Sequence, residues 1–120
     1  MDSGEFVKQF KEIWKLALAY SEIARREGLL ALEDKLEECD ETQRLVFQVG
    51  LRLTVDGTDA SLIDKVLTNM VNLETDEYAK VLKIVQKEAV LGIQEGVNPH
   101  YLAILLNSYV DKELWNSMEE

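Results

Sequence analysis

The chain has 120 residues, 47% hydrophobic and 30% charged, the balance of a folded domain rather than of a disordered tail. Its 13 basic and 23 acidic residues leave a formal charge of −10, which argues against phosphate backbones and anionic lipid surfaces as partners. The longest unbroken apolar run, Tyr101 to Leu106, is six residues, against the roughly 20 that a bilayer-spanning helix needs.

Met1-Asp2-Ser3-Gly4-Glu5 lacks a basic region followed by an apolar one, so no secretory signal is expected. A single cysteine, Cys39, cannot form an internal disulfide, which fits a reducing compartment and predicts a cytoplasmic location. Glycine and proline are scarce, no segment reads as a flexible linker, and no repeat of solenoid length is present. The expectation is an all-α single domain over 1–120, a compact bundle of four to five helices with one long N-terminal helix.

That first helix is predicted from Gly4 to Glu38. Phe6, Phe10, Ile13, Ala17, Tyr20 and Ala24 recur every three or four positions as one apolar stripe, widened by Trp14, Leu16 and Leu18. Gly28 costs about 1 kcal/mol in a helix interior, so a bend or break is expected there before Leu29, Leu30, Leu32 and Leu36 resume the pattern. Lys8, Lys11 and Lys15 read as a solvated face, since Glu5 and Glu12 interrupt them.

Phe47 to Val55 alternates apolar and polar residues as a strand would, and Asp56-Gly57 follows as a turn signal. A lone strand is at best marginal in water, and nothing else in the chain alternates. The segment is therefore predicted as a helix with Leu45, Val49 and Leu53 inward. Asp59 or Ser61 is expected to cap a short helix ending near Asn72, with Leu62, Val66, Leu67 and Met70 as its apolar set. Thr75 is expected to cap a helix running through Tyr78, Val81, Leu82, Val85, Ala89 and Ile93 to Gln94 or Glu95, with Gly96 ending it. Asn98-Pro99 reads as N-cap and N1 of the last helix, buried through Leu102, Leu105, Leu106 and Tyr109.

The usual carriers of catalysis are missing. There is no Cys-x-x-Cys, no His-Glu-x-x-His and no Walker-type glycine loop. Asp56-Gly57-Thr58-Asp59 suggests a calcium loop only superficially, because Ser61 and Leu67 fall where an EF-hand needs glycine and glutamate. His100 is expected in an exposed first turn, Cys39 as an inert side chain, and Glu37, Glu38, Asp40 and Glu41 as solvated acidic surface. Gly92 and Gly96 have a packing spacing, with close helix approach expected at Gly92. No enzyme activity, cofactor or metal is expected.

The charges that stand out are Arg25 and Arg26 on one side of Gly28, and Glu33 and Asp34 on the other. On a straight helix Arg25 and Glu33 lie about 12 Å apart along the axis and cannot pair. Arg26 has Glu22 four positions earlier, the better spacing for a local ion pair. One reading makes these surface charges worth under about 1 kcal/mol each. The other makes them a charge pattern that orients a partner.

Three motifs in order, Ala-Arg-Arg-Glu-Gly-Leu-Leu-Ala-Leu-Glu-Asp at 24–34, Val-Asp-Gly-Thr-Asp at 55–59 and Glu-Ala-Val-Leu-Gly-Ile-Gln-Glu-Gly-Val-Asn-Pro at 88–99, resemble the cytoplasmic parts of flagellar motor stator subunits of the MotA/PomA type. The resemblance implies helical structure throughout, including the disputed 45–56 segment. In that family the stator couples ion flow to rotation, and charged loop residues contact the rotor switch protein FliG. Alignment on Gly28 puts the family's functional arginine at Arg25 and its glutamate at Glu33. The departures are large: the four membrane helices are missing, and only about 30 residues separate the second and third motifs, where the family inserts two spans. His100 stands where relatives often carry arginine.

Residues 60–87 are not a glycine-serine bridge, which favours a natural membrane-free relative over an excised fragment. The expected function is a MotA-like interaction module near the flagellar basal body that does not conduct ions. It would bind FliG or a stator subunit through Arg25, Arg26, Glu33 and Asp34. The alternative is a general helical adaptor that uses another surface, with Trp14, Tyr20 or Trp115 as the residues that would join two copies.

Overall fold

The computed structural model describes residues 1–39 and 44–118, except for the side chains of residues 38 and 39. The expectations for Glu38, Cys39, Asp40 and Glu41 therefore lie outside the described side chains. Among the described residues the fold is all-α: α1 Ser3–Glu27, a 3₁₀ segment Leu29–Cys39, α2 Leu45–Val55, α3 Ala60–Asn72, α4 Glu77–Glu95, α5 Pro99–Asn107 and α6 Lys112–Met118. That is six α-helices and one 3₁₀ helix where four to five helices were expected. The surplus arises at Gly28, which divides the N-terminal helix, and at the turn after Asn107, which detaches α6.

α1 begins at Asp2, whose side chain accepts from the Glu5 N–H at 2.8 Å. It buries Phe6, Phe10, Ile13, Ala17 and Tyr20, the stripe expected from spacing, together with Gln9 and Ser21. It ends at Gly28, whose φ of 94° leaves helical space. A backbone in this region favours glycine because a Cβ is strained there. The expected continuous helix to Glu38 is thus two elements. The 3₁₀ segment buries Leu32 and Leu36 and leaves Leu30 exposed, packing against α1 and α2.

The alternating segment is helical, as expected, and Val49 and Leu53 pack partly buried against the core, but they are not the centre of its buried face. Val46, Phe47, Gly50, Leu51 and Thr54 are buried, whereas Leu45 is exposed. Gly50 decides this orientation: Val90 of α4 and Leu67 of α3 come so close that a Cβ at Gly50 would lie 2.7 to 2.9 Å from their side-chain carbons. Thr54 is accommodated in the interior because its hydroxyl donates to the Gly50 carbonyl at 2.8 Å.

α4 is the central element, packed against α1, α2, α3 and α5. Its N-cap is Asp76, not Thr75: the Asp76 carboxylate accepts from the Ala79 N–H at 2.8 Å. Gly96 ends it in the left-handed region at φ 76°. Asp59 caps α3 and Asn98 caps α5, with Pro99 in the first turn, as expected. Ile63, Leu67 and Val71 are the buried set of α3, while Leu62 is exposed. Leu102 and Leu106 are buried in α5, but Leu105 and Tyr109, expected inside, are each 37% exposed.

Candidate functional site

Each of the four residues singled out by sequence lies at the surface, but they do not share one helix. Arg25 and Arg26 close the last turn of α1, where cations oppose the negative end of the helix dipole. Glu33 and Asp34 lie beyond Gly28 on the 3₁₀ segment. All four are exposed. The change of direction at Gly28 replaces the straight-helix relation between Arg25 and Glu33, and no ion pair joins the two among the described residues.

The two arginines differ in role. Arg26 Nε lies 3.9 Å from the Glu22 carboxylate, the four-residue spacing expected, and its Nη2 lies 4.0 Å from Glu27. Both pairs are long and solvated, so they add little to stability. Arg25 instead donates from Nη1 to the carbonyl oxygen of Gly96 at 2.6 Å. One turn earlier, Ser21 donates its hydroxyl to the Val97 carbonyl at 3.1 Å. The carbonyls freed where α4 ends are thus met by the side chains of α1. This junction joins the first sequence motif to the third.

Glu33 and Asp34 have no cationic partner within 4.0 Å among the described residues, in keeping with an acidic surface open to water. The second motif is used structurally. Asp56-Gly57 forms the turn after α2, with Gly57 at φ 80°, and Asp59 caps α3. No group of three metal-ligating side chains occurs among the described residues, and no helix of the structure is long and apolar enough to cross a membrane.

Of the aromatic residues expected to join two copies, Tyr20 is buried and stacks on Phe47, with ring centroids 5.7 Å apart and planes within 9°. It belongs to the core and cannot form an interface. Trp14 and Trp115 are half-buried, and Lys112 Nζ sits 4.2 Å from the centre of a Trp115 ring.

Sequence reasoning did not find a groove of about 530 Å³ between α1, the start of α4 and α6. Phe6 and Tyr78 meet there with centroids 4.9 Å apart, and Lys11, Tyr109 and Asp111 also line it. Burial raises the Tyr109 phenol above its ordinary value, and the Glu88 carboxylate adds to the effect. The residues concerned lie as far apart as Phe6 and Leu114 in sequence, so no local pattern announces them.

In sequence the chain is similar to Motility protein A of Borreliella burgdorferi, 39% identical over 72 residues that make up 60% of this chain and 25% of that protein. It is 34% identical over 95 residues to Motility protein A of Bacillus subtilis, covering 79% of this chain and 32% of that one. With Motility protein A of Treponema phagedenis the identity is 31% over 87 residues, 72% of this chain and 32% of the other. The chain therefore spans about a quarter to a third of the length of the curated relatives it matches. No protein-family model matches it, and no solved structure does.

Proposed function

We propose that this chain is a MotA-like module that acts in the flagellar motor by protein contact, on its cytoplasmic side, binding the rotor switch protein or a stator subunit. The observation that carries this reading is the similarity to Motility protein A over 79% of the chain in the Bacillus subtilis comparison. The contact surface we assign is the exposed corner on either side of Gly28: Arg26 with Arg25 on one side, Glu33 and Asp34 on the other. Charges held on two adjoining helical elements, the end of α1 and the 3₁₀ segment, orient a partner and speed encounter more than they add affinity. Contact rather than ion conduction is the proposed role of this segment, because no helix among the described residues is long and apolar enough to cross a membrane.

The test is capture of purified switch protein and of stator subunit by the wild-type chain, beside Arg26→Glu and Glu33→Lys. Either reversal should weaken capture of the true partner several-fold, and added salt should weaken it in the wild type. Unchanged capture by both reversals would remove this corner as the contact surface. Arg25→Glu is the poorer probe, because Arg25 also ties α1 to Gly96.

A further inference from the structure

Two buried side-chain polar atoms, Trp14 Nε1 and Asn107 Oδ1, have no hydrogen-bond partner among the described residues. Both residues line one groove of about 370 Å³, formed by α1, α5 and α6. One atom is a donor and the other an acceptor, and each is costly to leave unmet in an interior. Asn107 is 2% exposed, so water does not routinely serve it. The walls are mostly apolar, with Leu18, Pro99, Ile104 and Met118; His100 adds a polar ring, and no Asp, Glu, Lys or Arg side chain lines the groove. α5 is the one helix among the described elements without a charged residue, and beside the groove it exposes Tyr101, Ile104 and Leu105.

We propose that this groove binds a peptide unit of an apolar, extended segment of a partner protein. Its carbonyl oxygen accepts from Trp14 Nε1–H and its N–H donates to Asn107 Oδ1. An extended segment fits because the peptide groups inside a helix are already paired with each other. Charge complementarity sets the flanks. The groove is neutral on a chain of net charge −10, so the matching segment is neutral where it enters and basic on either side. Both atoms are buried, so binding requires side chains at the groove to shift, Met118 among them. Methionine is unbranched and adaptable, and α6 buries none of its residues.

The indole N–H resonances of Trp14 and Trp115, told apart with Trp115→Phe, report on the groove by nuclear magnetic resonance. The probe is the capped peptide Lys-Lys-Leu-Val-Leu-Lys-Lys, with two analogues in which one central N–H at a time is replaced by an ester oxygen. The 120-residue chain should show a saturable shift of the Trp14 signal only. One ester analogue should bind about 5- to 10-fold more weakly, the factor of a single hydrogen bond. Asn107→Leu should abolish the difference between amide and ester.

Four results would overturn the proposal: a stationary Trp14 signal, equal binding of the amide and both esters, equal binding of a control with Ser-Gly-Ser at its centre, or a Trp14 shift that grows with protein concentration alone. The last would assign the groove to a second copy. The ester comparison uses the wild-type chain and stands even if Asn107→Leu does not fold.

Discussion

Arg25 reaches from the last turn of α1 to the Gly96 carbonyl, 2.6 Å from its Nη1 atom. Two stretches some 70 residues apart in sequence therefore meet at one corner, and Arg25 acts as a clamp within the fold before it meets any partner. Arg25→Ala should lower stability by about 0.5–1.5 kcal/mol, the worth of one hydrogen bond at a solvated site. Urea unfolding measures this without a partner present. Arg26→Ala, whose ion pairs are long and exposed, should change stability by less than about 0.5 kcal/mol.

The glycines of α2 and α4 separate two kinds of crowding. A Cβ at Gly50 would meet both methyls of Val90 at 2.7 and 2.8 Å and Leu67 at 2.9 Å. Valine is stiff at its branched carbon, so Gly50→Ala should cost about 1–3 kcal/mol, less part of the helix propensity gained. At Gly92 the close neighbour is the end of the Leu102 side chain at 2.7 Å, with the next contact at 3.9 Å. One rotatable side chain can yield, so Gly92→Ala should fall within about 1 kcal/mol of wild type. Equal losses in thermal unfolding would refute this distinction.

Helix α2 starts without a side-chain cap of its own. Gln86 of α4 takes that part, its Oε1 accepting from the Phe47 N–H at 3.0 Å in the interior. Gln86→Leu keeps the bulk and strands that donor, which predicts a loss of about 1–3 kcal/mol. Faster hydrogen exchange confined to the first turn of α2 would locate the damage.

Two carboxylates tie the α3 side of the fold to α4, and both carry acid sensitivity. Asp64 is held below its ordinary value first by the hydrogen bond from Lys87, 3.0 Å away. Glu74 is held below its own first by the Asp76 N–H and then by Lys83 at 3.0 Å. A carboxylate with a depressed folded value binds fewer protons folded than unfolded in the acid range. Its contribution is complete above the ordinary carboxylate range and is lost as pH falls through that range toward the folded value. Asp64→Asn and Glu74→Gln should flatten the decline of stability below about pH 4.5. A slope identical to wild type would show that the acid loss arises elsewhere.

Much of the architecture was legible because caps and stripes are local. Asp59, Asn98-Pro99 and Gly96 mark element ends through hydrogen bonds that reach only two to five residues, and the stripe from Phe6 to Tyr20 follows from helical spacing alone. Thr75 and Asp76 show the limit, since either could cap α4 and only the packed turn selects Asp76. Which side of α2 is fully buried is hidden for a similar reason: Val49 and Leu53 pack partly buried, as expected, but Leu45 does not. Leu45 and Leu51 are alike in hydrophobicity, and the close approach of Val90 to Gly50 turns one outward and the other in.

The candidate contact residues were legible as charges and not as geometry. Composition and pattern alone determined that this chain is acidic, helical outside the alternating Phe47 to Val55 stretch, and without an apolar run long enough for a bilayer, because those properties are read from residue counts and from neighbours in sequence. The tertiary structure decided that Arg25 grips Gly96, that Tyr20 is interior, and that Trp14 and Asn107 line one groove. Each of these depends on which helices touch, and that is set by packing between residues far apart along the chain.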